Sequence, residues 1–188
     1  LLVTAPIDLR ELIGEGGGQR LERRLCSMRP RKLGLEQREV FGVMRDMARR
    51  SRELRQAARQ YEQRLRELIL SLDETLLDEC GMGPVTTAQL LVADPRRFKN
   101  EQAFARCNGT APIEASSGKT ARHRLSRGGD RQTNAAIHVI ALTRLRHDKE
   151  TRAYVERRVA EGKTRREAVR SLKRHLSRRL FKRLCEVS

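Results

Sequence analysis

Apolar and small side chains recur at alternating steps of four and three from about Leu35 to Leu77. The positions are Val40, Met44, Met47, Ser51, Leu54, Ala58, Tyr61, Leu65, Leu68 and Leu72. This heptad seam predicts a long helix that either enters a coiled coil, within or between chains, or packs as an amphipathic helix on its own domain. Ser51 and Ala58 weaken the middle of the seam, so we expect other contacts to help hold an oligomer.

Glycine and proline interrupt the pattern before this helix. The segments "GEGGGQ" and "RPRKLG" leave room only for a short helical piece at about residues 20–27. We therefore predict three parts, which are a connector over residues 1–34, a coiled-coil helix over 35–79 and a compact helical domain over 80–188.

Local start and stop signals predict shorter helices in the last part. Pro84 stands at the first turn of a helix that runs to about Val92, and further helices are predicted at 100–107, 149–161 and 165–184. Thr164 and Glu167 have the spacing of a capping box. Another helix follows "GDRQ", and its clustered apolar residues predict that it is mostly buried: Ala135, Ile137, Val139, Ile140, Leu142 and Leu145. The expected fold class is mainly α.

The distribution of charge indicates what kind of partner the chain binds. The formal net charge is +17, and residues 117–184 hold 21 basic and 6 acidic side chains, which indicates that a polyanion lies against the last third of the chain. Aromatic residues make up only 3% of the chain and Trp is absent, which excludes a single-strand binder built on stacking rings. Contacts with phosphate are the better expectation.

The cysteines, the histidines and the hydropathy argue against a disulfide-rich protein, a metal site and a membrane span. The four scattered cysteines predict reduced, mostly buried thiols rather than a disulfide framework or a zinc site, and no histidine pair has metal-ligand spacing. No apolar run approaches the roughly 20 residues of a membrane span, so no membrane partner is expected.

The glycines Gly81 and Gly83 punctuate the end of the long helix. The sequence "CGMGP" has the apolar-Gly-apolar-Gly pattern of a helix-hairpin-helix turn, in which backbone N–H groups bind a phosphate at the next helix N-terminus. A plain helix–turn–helix connection favours the same glycines, so both interpretations stay open.

The stretch "EASSGKTARHRLSRGGDR", residues 114–131, combines two serines with basic side chains. A serine needs a base, a metal or cations to act as a nucleophile, and cations could also hold a scissile phosphate. The basic residues concerned are Lys119, Arg122, Arg124, Arg127 and Arg131. The spacing alone leaves a solvated loop and a catalytic loop as alternatives. The same choice, solvation or polyanion contact, applies to the basic face of the last helix, which includes Lys173 and Arg174.

Several ordered motifs over about residues 80–147 together resemble one family. These are the Gly-x-Gly turn, the "FARCNGTAP" run, the Ser-Gly pair and the step from Arg127-Gly128 to Asn134 at the start of a helix. The segment resembles the C-terminal domain of the insertion-sequence DEDD transposases, the IS one-ten type, also called bridge recombinases.

The resemblance implies a transposase or DNA recombinase that cuts and rejoins DNA and is guided by a structured RNA. It implies Ser117 as the nucleophile, with Ser116 as the alternative, and Asn134 as a loop-to-helix anchor or a polar contact. The implied partners are DNA, the guide RNA and further copies of the chain, as a dimer through the coiled coil and a tetramer on DNA. The implied location is the nucleoid of the bacterial cytoplasm.

Family members also carry a RuvC-like domain with acidic metal ligands, and these 188 residues offer no counterpart. We therefore expect no cofactor in this chain, Mg²⁺ in the missing domain, and little activity from this piece alone. The start at Leu1 rather than Met fits a piece of a longer protein. The alternative function is a non-catalytic DNA- or RNA-binding and oligomerisation module.

Overall fold

The computed structural model describes residues 4–114, 123, 124, 126 and 128–187. The prediction of a mainly helical fold is confirmed, since a long helix is followed by a series of shorter ones. The helices are α1 (Ile7–Ile13), α2 (Gly18–Ser27), α3 (Leu35–Leu72), α4 (Pro84–Val92), α5 (Glu101–Cys107), α6 (Arg131–His147), α7 (Lys149–Ala160) and α8 (Arg165–Cys185), with a 3-10 turn at Pro95–Arg97. Two short antiparallel strands, β1 (Ile113–Glu114) and β2 (His123–Arg124), pair Ile113 with Arg124.

The chain divides into two compact units, Leu1–Tyr61 and Glu62–Ser188, and α3 contains the boundary between them. The segment expected to be a connector holds two helices, α1 and α2. The division into connector, coiled coil and compact domain stays a prediction.

The first unit has a small apolar core of its own. It is formed by Ala5, Leu9, Ile13, Leu25, Phe41, Met44 and Ala48. Beside it, the nearly buried carboxylate of Glu22 lies 2.7 Å from Arg55 Nη1 and accepts a hydrogen bond from the Ser51 hydroxyl. This pairing explains how a serine is accommodated on the seam, because its hydroxyl has a partner on α2.

The helix α3 leaves a line of apolar side chains exposed. Met47, Leu54, Tyr61 and Leu68 are each more than half exposed and recur every seven residues, so they share one face of the helix. The helix is observed, whereas its pairing in a coiled coil stays a prediction.

The helix α3 ends at Leu72, a few residues earlier than the apolar pattern suggested. The Asp73 carboxylate accepts hydrogen bonds from the Thr75 backbone N–H and hydroxyl, both at 2.8 Å. An aspartate that bonds the backbone two residues later favours a turn over continued helix.

The core of the second unit is formed by α4, α6, α7 and α8 together with the end of α3. Its fully buried side chains include Leu76, Leu90, Ile137, Ile140 and Ala168. At one side Phe104 of α5 packs between Phe98, in an edge-to-face contact, and Phe181, in a tilted one, with ring centroids 5.5 and 5.7 Å away. The result is a helical core against which α5 and the loop after it are placed.

The expectation that α6 is mostly buried is wrong. Val139 and Leu142 are 48% and 39% exposed, whereas Ala136, Ile137, Ile140 and Ala141 are buried. The side of α6 that carries Ala136 and Ala141 packs against α4 and α8, whereas the opposite side keeps apolar residues in contact with solvent.

Side chains cap the N-termini of α6, α7 and α8. The predicted capping box is confirmed, since Thr164 Oγ1 accepts from the Glu167 N–H and the Glu167 carboxylate accepts from the Thr164 N–H. Asp130 and Asp148 are simpler caps of α6 and α7, because each side chain accepts hydrogen bonds from two N–H groups in the first turn of its helix.

All four cysteines are free of disulfides, but the expected burial is wrong, because Cys107 and Cys185 are exposed and the other two are half-buried. These thiols lie at helix ends and turns, where the chain meets solvent. No helix among the described residues is long and apolar enough to span a membrane.

Candidate nucleic-acid interface

The two ends of the serine-bearing stretch meet at closely packed glycines. A Cβ on Gly129 would lie 2.3 Å from the Cys107 carbonyl oxygen, and a Cβ on Gly109 would lie 2.8 Å from the Gly128 carbonyl oxygen. Both residues also have positive φ angles, +99° and +68°. The next residue, Asp130, donates its N–H to the Cys107 carbonyl at 2.6 Å. The end of α5 and the start of α6 are therefore held in direct contact, and only glycine fits the two positions.

Asn108 fixes this contact to the core. Its side chain is 1% exposed; Nδ2 donates to Ser177 Oγ on α8 at 2.9 Å, and Oδ1 accepts from the Thr110 N–H and hydroxyl at 3.1 and 2.6 Å. A buried amide that satisfies both ends in this way specifies one arrangement of the chain. The sequence indicated Asn108 only as the end of a helix, and no local signal reveals a bond to a residue 69 positions away.

Asn134 joins the same network from α6. Its Nδ2 donates to the Asn108 carbonyl oxygen at 2.5 Å, and its Oδ1 accepts from Lys173 Nζ at 2.6 Å. Of the two roles considered for Asn134, these contacts are those of an anchor, because both ends of its carboxamide already have protein partners.

Lys173 is half-buried at the edge of the network. Burial lowers the pKa of Lys173 from its usual range, and burial together with the Lys173 charge lowers the pKa of His138, one turn after Asn134. The neighbouring Arg174 has a pKa lowered by burial and by Arg178, and its buried Nη1 has no hydrogen-bond partner among the described residues. Two adjacent cations of α8 are thus held where water only partly solvates them.

Most of the serine stretch itself lies outside the described residues. This applies to Ser116, Ser117, Lys119, Arg122 and Arg127. Of the remaining predicted cations, Arg124 belongs to β2 and Arg131 is the exposed first residue of α6. The described geometry thus covers the base of the loop, and the roles of all these residues stay predictions.

The glycine turn before α4 has a structural explanation. Gly81 has φ +92°, and a Cβ there would lie 3.0 Å from the Ile140 carbonyl oxygen and 3.1 Å from its side chain. Gly83 donates its N–H to Thr86 Oγ1 at 3.0 Å, which satisfies one donor of the helix end. The groove at this turn is also lined by Asp78 and Glu79, whose charges do not favour an anion. Phosphate binding here stays a prediction.

Chemically, the described part of the site can position groups and attract anions. Among the described residues, no group of three or more His, Cys, Asp or Glu side chains could hold a metal ion. The described residues therefore do not fit the Mg²⁺ that the resemblance implies.

The family comparison bears on the second unit of the chain. Residues 73–156 match the family model described as "Transposase IS116/IS110/IS902 family". The match covers less than half of the chain and includes the Gly81 turn, both candidate serines and Asn134. It supports an IS110-type transposase or recombinase role and suggests DNA as a partner. A comparison with curated proteins found no match.

Proposed function

We propose that this chain is part of a transposase that cuts and rejoins DNA through the hydroxyl of Ser117, with Ser116 as the alternative nucleophile. The family match over residues 73–156, which includes both serines, carries the proposal. In the proposed step the serine oxygen bonds to phosphorus, the bond from phosphorus to one nucleoside oxygen breaks, and the serine proton ends on the leaving oxygen. The phosphodiester survives as a protein–DNA ester, to which another strand can then be joined.

Cations hold the scissile phosphate in this proposal. They are Lys119, Arg122, Arg124, Arg127 and Arg131, which would offset the charge that develops on the phosphate oxygens. Asn134 acts one step removed, because it fixes the turn at Asn108 and so the position from which the loop begins. Gly129 also packs against the Cys107 carbonyl and so helps to fix where the loop ends.

The remaining parts of the proposal come from the resemblance. A structured RNA would choose the DNA sequence by base pairing, since Lys and Arg contacts to phosphate read no bases. Copies of the chain would pair through α3 and form a tetramer on DNA in the bacterial nucleoid. A RuvC-like domain with Mg²⁺ would complete the active site.

The decisive experiment replaces each serine in turn in the full-length protein. The substrate is a labelled DNA that carries the ends of the encoding element, with the RNA transcribed from that element. We expect Ser117→Ala to abolish the covalent protein–DNA adduct on a denaturing gel and to leave the Kd for the same DNA within about twofold, since phosphate contacts rather than the hydroxyl supply affinity.

Ser116→Ala is the matched control, because it removes the same hydroxyl one residue away, and it should retain the adduct. The reverse pattern would move the nucleophile to Ser116. Adducts that persist in both variants would show that neither serine is the required nucleophile and would overturn the assignment. A wild type that binds the DNA but never forms an adduct would favour the non-catalytic binding and oligomerisation module.

A further inference from the structure

The basic residues of α8 include two groups, and the C-terminal group, which consists of Arg178, Arg179 and Arg183, is ion-paired within the second unit. Arg178 Nε lies 2.7 Å from Glu101, Arg179 Nη2 lies 3.2 Å from Glu79, and Arg183 Nη2 lies 2.8 Å from Asp73. These pairs connect α8 to α5 and to the segment after α3. Their charges stabilise contacts within the second unit, so they contribute little net attraction for an outside anion.

The N-terminal group lacks this compensation. Arg166, Arg170 and Lys173 follow at steps of four and three, so their side chains lie on one face of α8. Among the described residues, no carboxylate lies within ion-pair distance of Arg166 or Lys173. Arg170 reaches one carboxylate at 3.9 Å, that of Glu167, which is already engaged in the Thr164 capping box. We call these three residues the α8 stripe.

The stripe leads to the base of the loop. One turn beyond Lys173 on the same face, Ser177 is fully buried and holds Asn108, while Lys173 itself bonds Asn134. From Arg166 to Lys173 the stripe spans about 10 Å of helix axis. One strand of duplex DNA carries a phosphate about every 3.4 Å of its axis, so two or three phosphates fit along this length.

An anion at the stripe also removes an electrostatic cost. Partial burial of a cation without a carboxylate is unfavourable. Lys173 is half-buried, and among the residues that the structure describes its hydrogen-bond partner is an amide oxygen, that of Asn134. A phosphate oxygen supplies the missing negative charge and strong acceptors for the free ammonium and guanidinium donors. Peptide carboxylates are a weaker fit, because regularly spaced cations match the regularly spaced charges of a nucleic-acid backbone.

We propose that Arg166, Arg170 and Lys173 form a phosphate-binding stripe that holds a nucleic-acid backbone against α8 and directs it toward the Asn108–Asn134 network. The proposal rests on the proposed function in taking nucleic acid as the partner. It extends the interface beyond residue 156, where the family match ends.

The test measures how the affinity of the 188-residue chain depends on salt. The probes are a duplex DNA of about 24 base pairs and a single-stranded RNA of the same length, titrated from about 50 to 300 mM NaCl. For Arg166→Gln/Arg170→Gln we expect the slope of log K against log salt to become shallower by about 0.9 per lost contact on duplex DNA, or about 0.7 on single-stranded RNA. The probe that loses slope identifies which nucleic acid the stripe holds.

Arg178→Gln/Arg179→Gln is the matched control, since it removes the same two charges from the same helix. This variant should lower the unfolding temperature, because it breaks the pairs with Glu101 and Glu79, but it should keep the wild-type slope. Equal slopes in the wild type and the Arg166/Arg170 variant, or an equal loss in both variants, would overturn the stripe and leave the proposed function standing. A wild type without salt-dependent binding to either probe would overturn both.

Discussion

At the scale of single residues, the neighbours Gly128 and Gly129 differ in whether a larger side chain would fit. A Cβ on Gly129 meets the Cys107 carbonyl at 2.3 Å and φ is +99°, whereas a Cβ on Gly128 has open space around it. We expect Gly129→Ala to lower the free energy of unfolding by about 1–3 kcal/mol, the range for a residue held in a disfavoured backbone conformation. Urea denaturation followed by circular dichroism measures the change.

Gly128→Ala provides the comparison one residue earlier. Its free energy of unfolding should stay within about 0.5 kcal/mol of the wild-type value, as for a typical surface substitution. If both variants unfold at the same urea concentration as the wild type, the close approach of the two loop ends is not a feature of the protein in solution.

The residues of the candidate site were only partly predictable from the sequence. The Ser-Gly pair and its cations are contiguous, so the candidate loop could be found from the sequence. The network that fixes the loop base could not, because Asn108, Asn134 and Ser177 come from three separate segments. Lys173 gave a basic position in the sequence, but only its contact with Asn134 places it beside that network.

At the scale of elements, the start of α6 depends on one carboxylate. Asp130 accepts hydrogen bonds from the N–H groups of Gln132 and Thr133 and from the Thr133 hydroxyl. We expect Asp130→Ala to lower the free energy of unfolding by about 1 kcal/mol at pH 7, as for other helix caps. Asp130→Asn keeps a capping oxygen and should lose only part of that amount.

The effect of Asp130 should depend on pH. Hydrogen bonds from the Thr133 side chain and backbone, followed by the Gln132 N–H, hold the pKa of Asp130 below its usual value. A lowered folded-state pKa stabilises the protein fully above the unfolded pKa of about 3.9, and this stabilisation is lost as the pH falls through the folded value. Urea melts at pH 7 and at about pH 2.5 should therefore show the wild type and Asp130→Ala converging at low pH. A difference that stays constant would contradict an ionised cap.

Helices were predictable where their signals were local. Pro84, the Thr164–Glu167 box and the heptad spacing act within one or two turns, and the corresponding helices α4, α8 and α3 are observed. Burial was less predictable, since Val139 and Leu142 are exposed although they stand in an apolar run. Which face of α6 is covered depends on helices that are distant in sequence.

At the scale of the whole molecule, the exposed line on α3 predicts self-association. Leu54 is 55% exposed in the single chain and lies between Met47 and Tyr61 on the exposed line, which continues to Leu68. We expect Leu54→Lys to weaken the dimer at least tenfold in sedimentation equilibrium, because a charge replaces an apolar side chain at the proposed interface.

Gln56→Lys adds the same charge two residues later, on the opposite side of the helix. Its dimer constant should equal that of the wild type. A wild type that stays monomeric at about 100 μM, or equal weakening in both variants, would show that the heptad line does not pair two copies of the chain.

The close packing of Gly109 and Gly129 has a consequence for engineering the protein. Because Cys107, Asp130 and Asn134 hold the two ends of the loop together, and Thr110 bonds the buried Asn108 at the same place, we expect the sequence between Thr110 and Gly129 to be replaceable. A related enzyme's loop of different length could be grafted between these two residues with the helical scaffold unchanged. Chimaeras built at these junctions would then compare loop chemistries on one constant support.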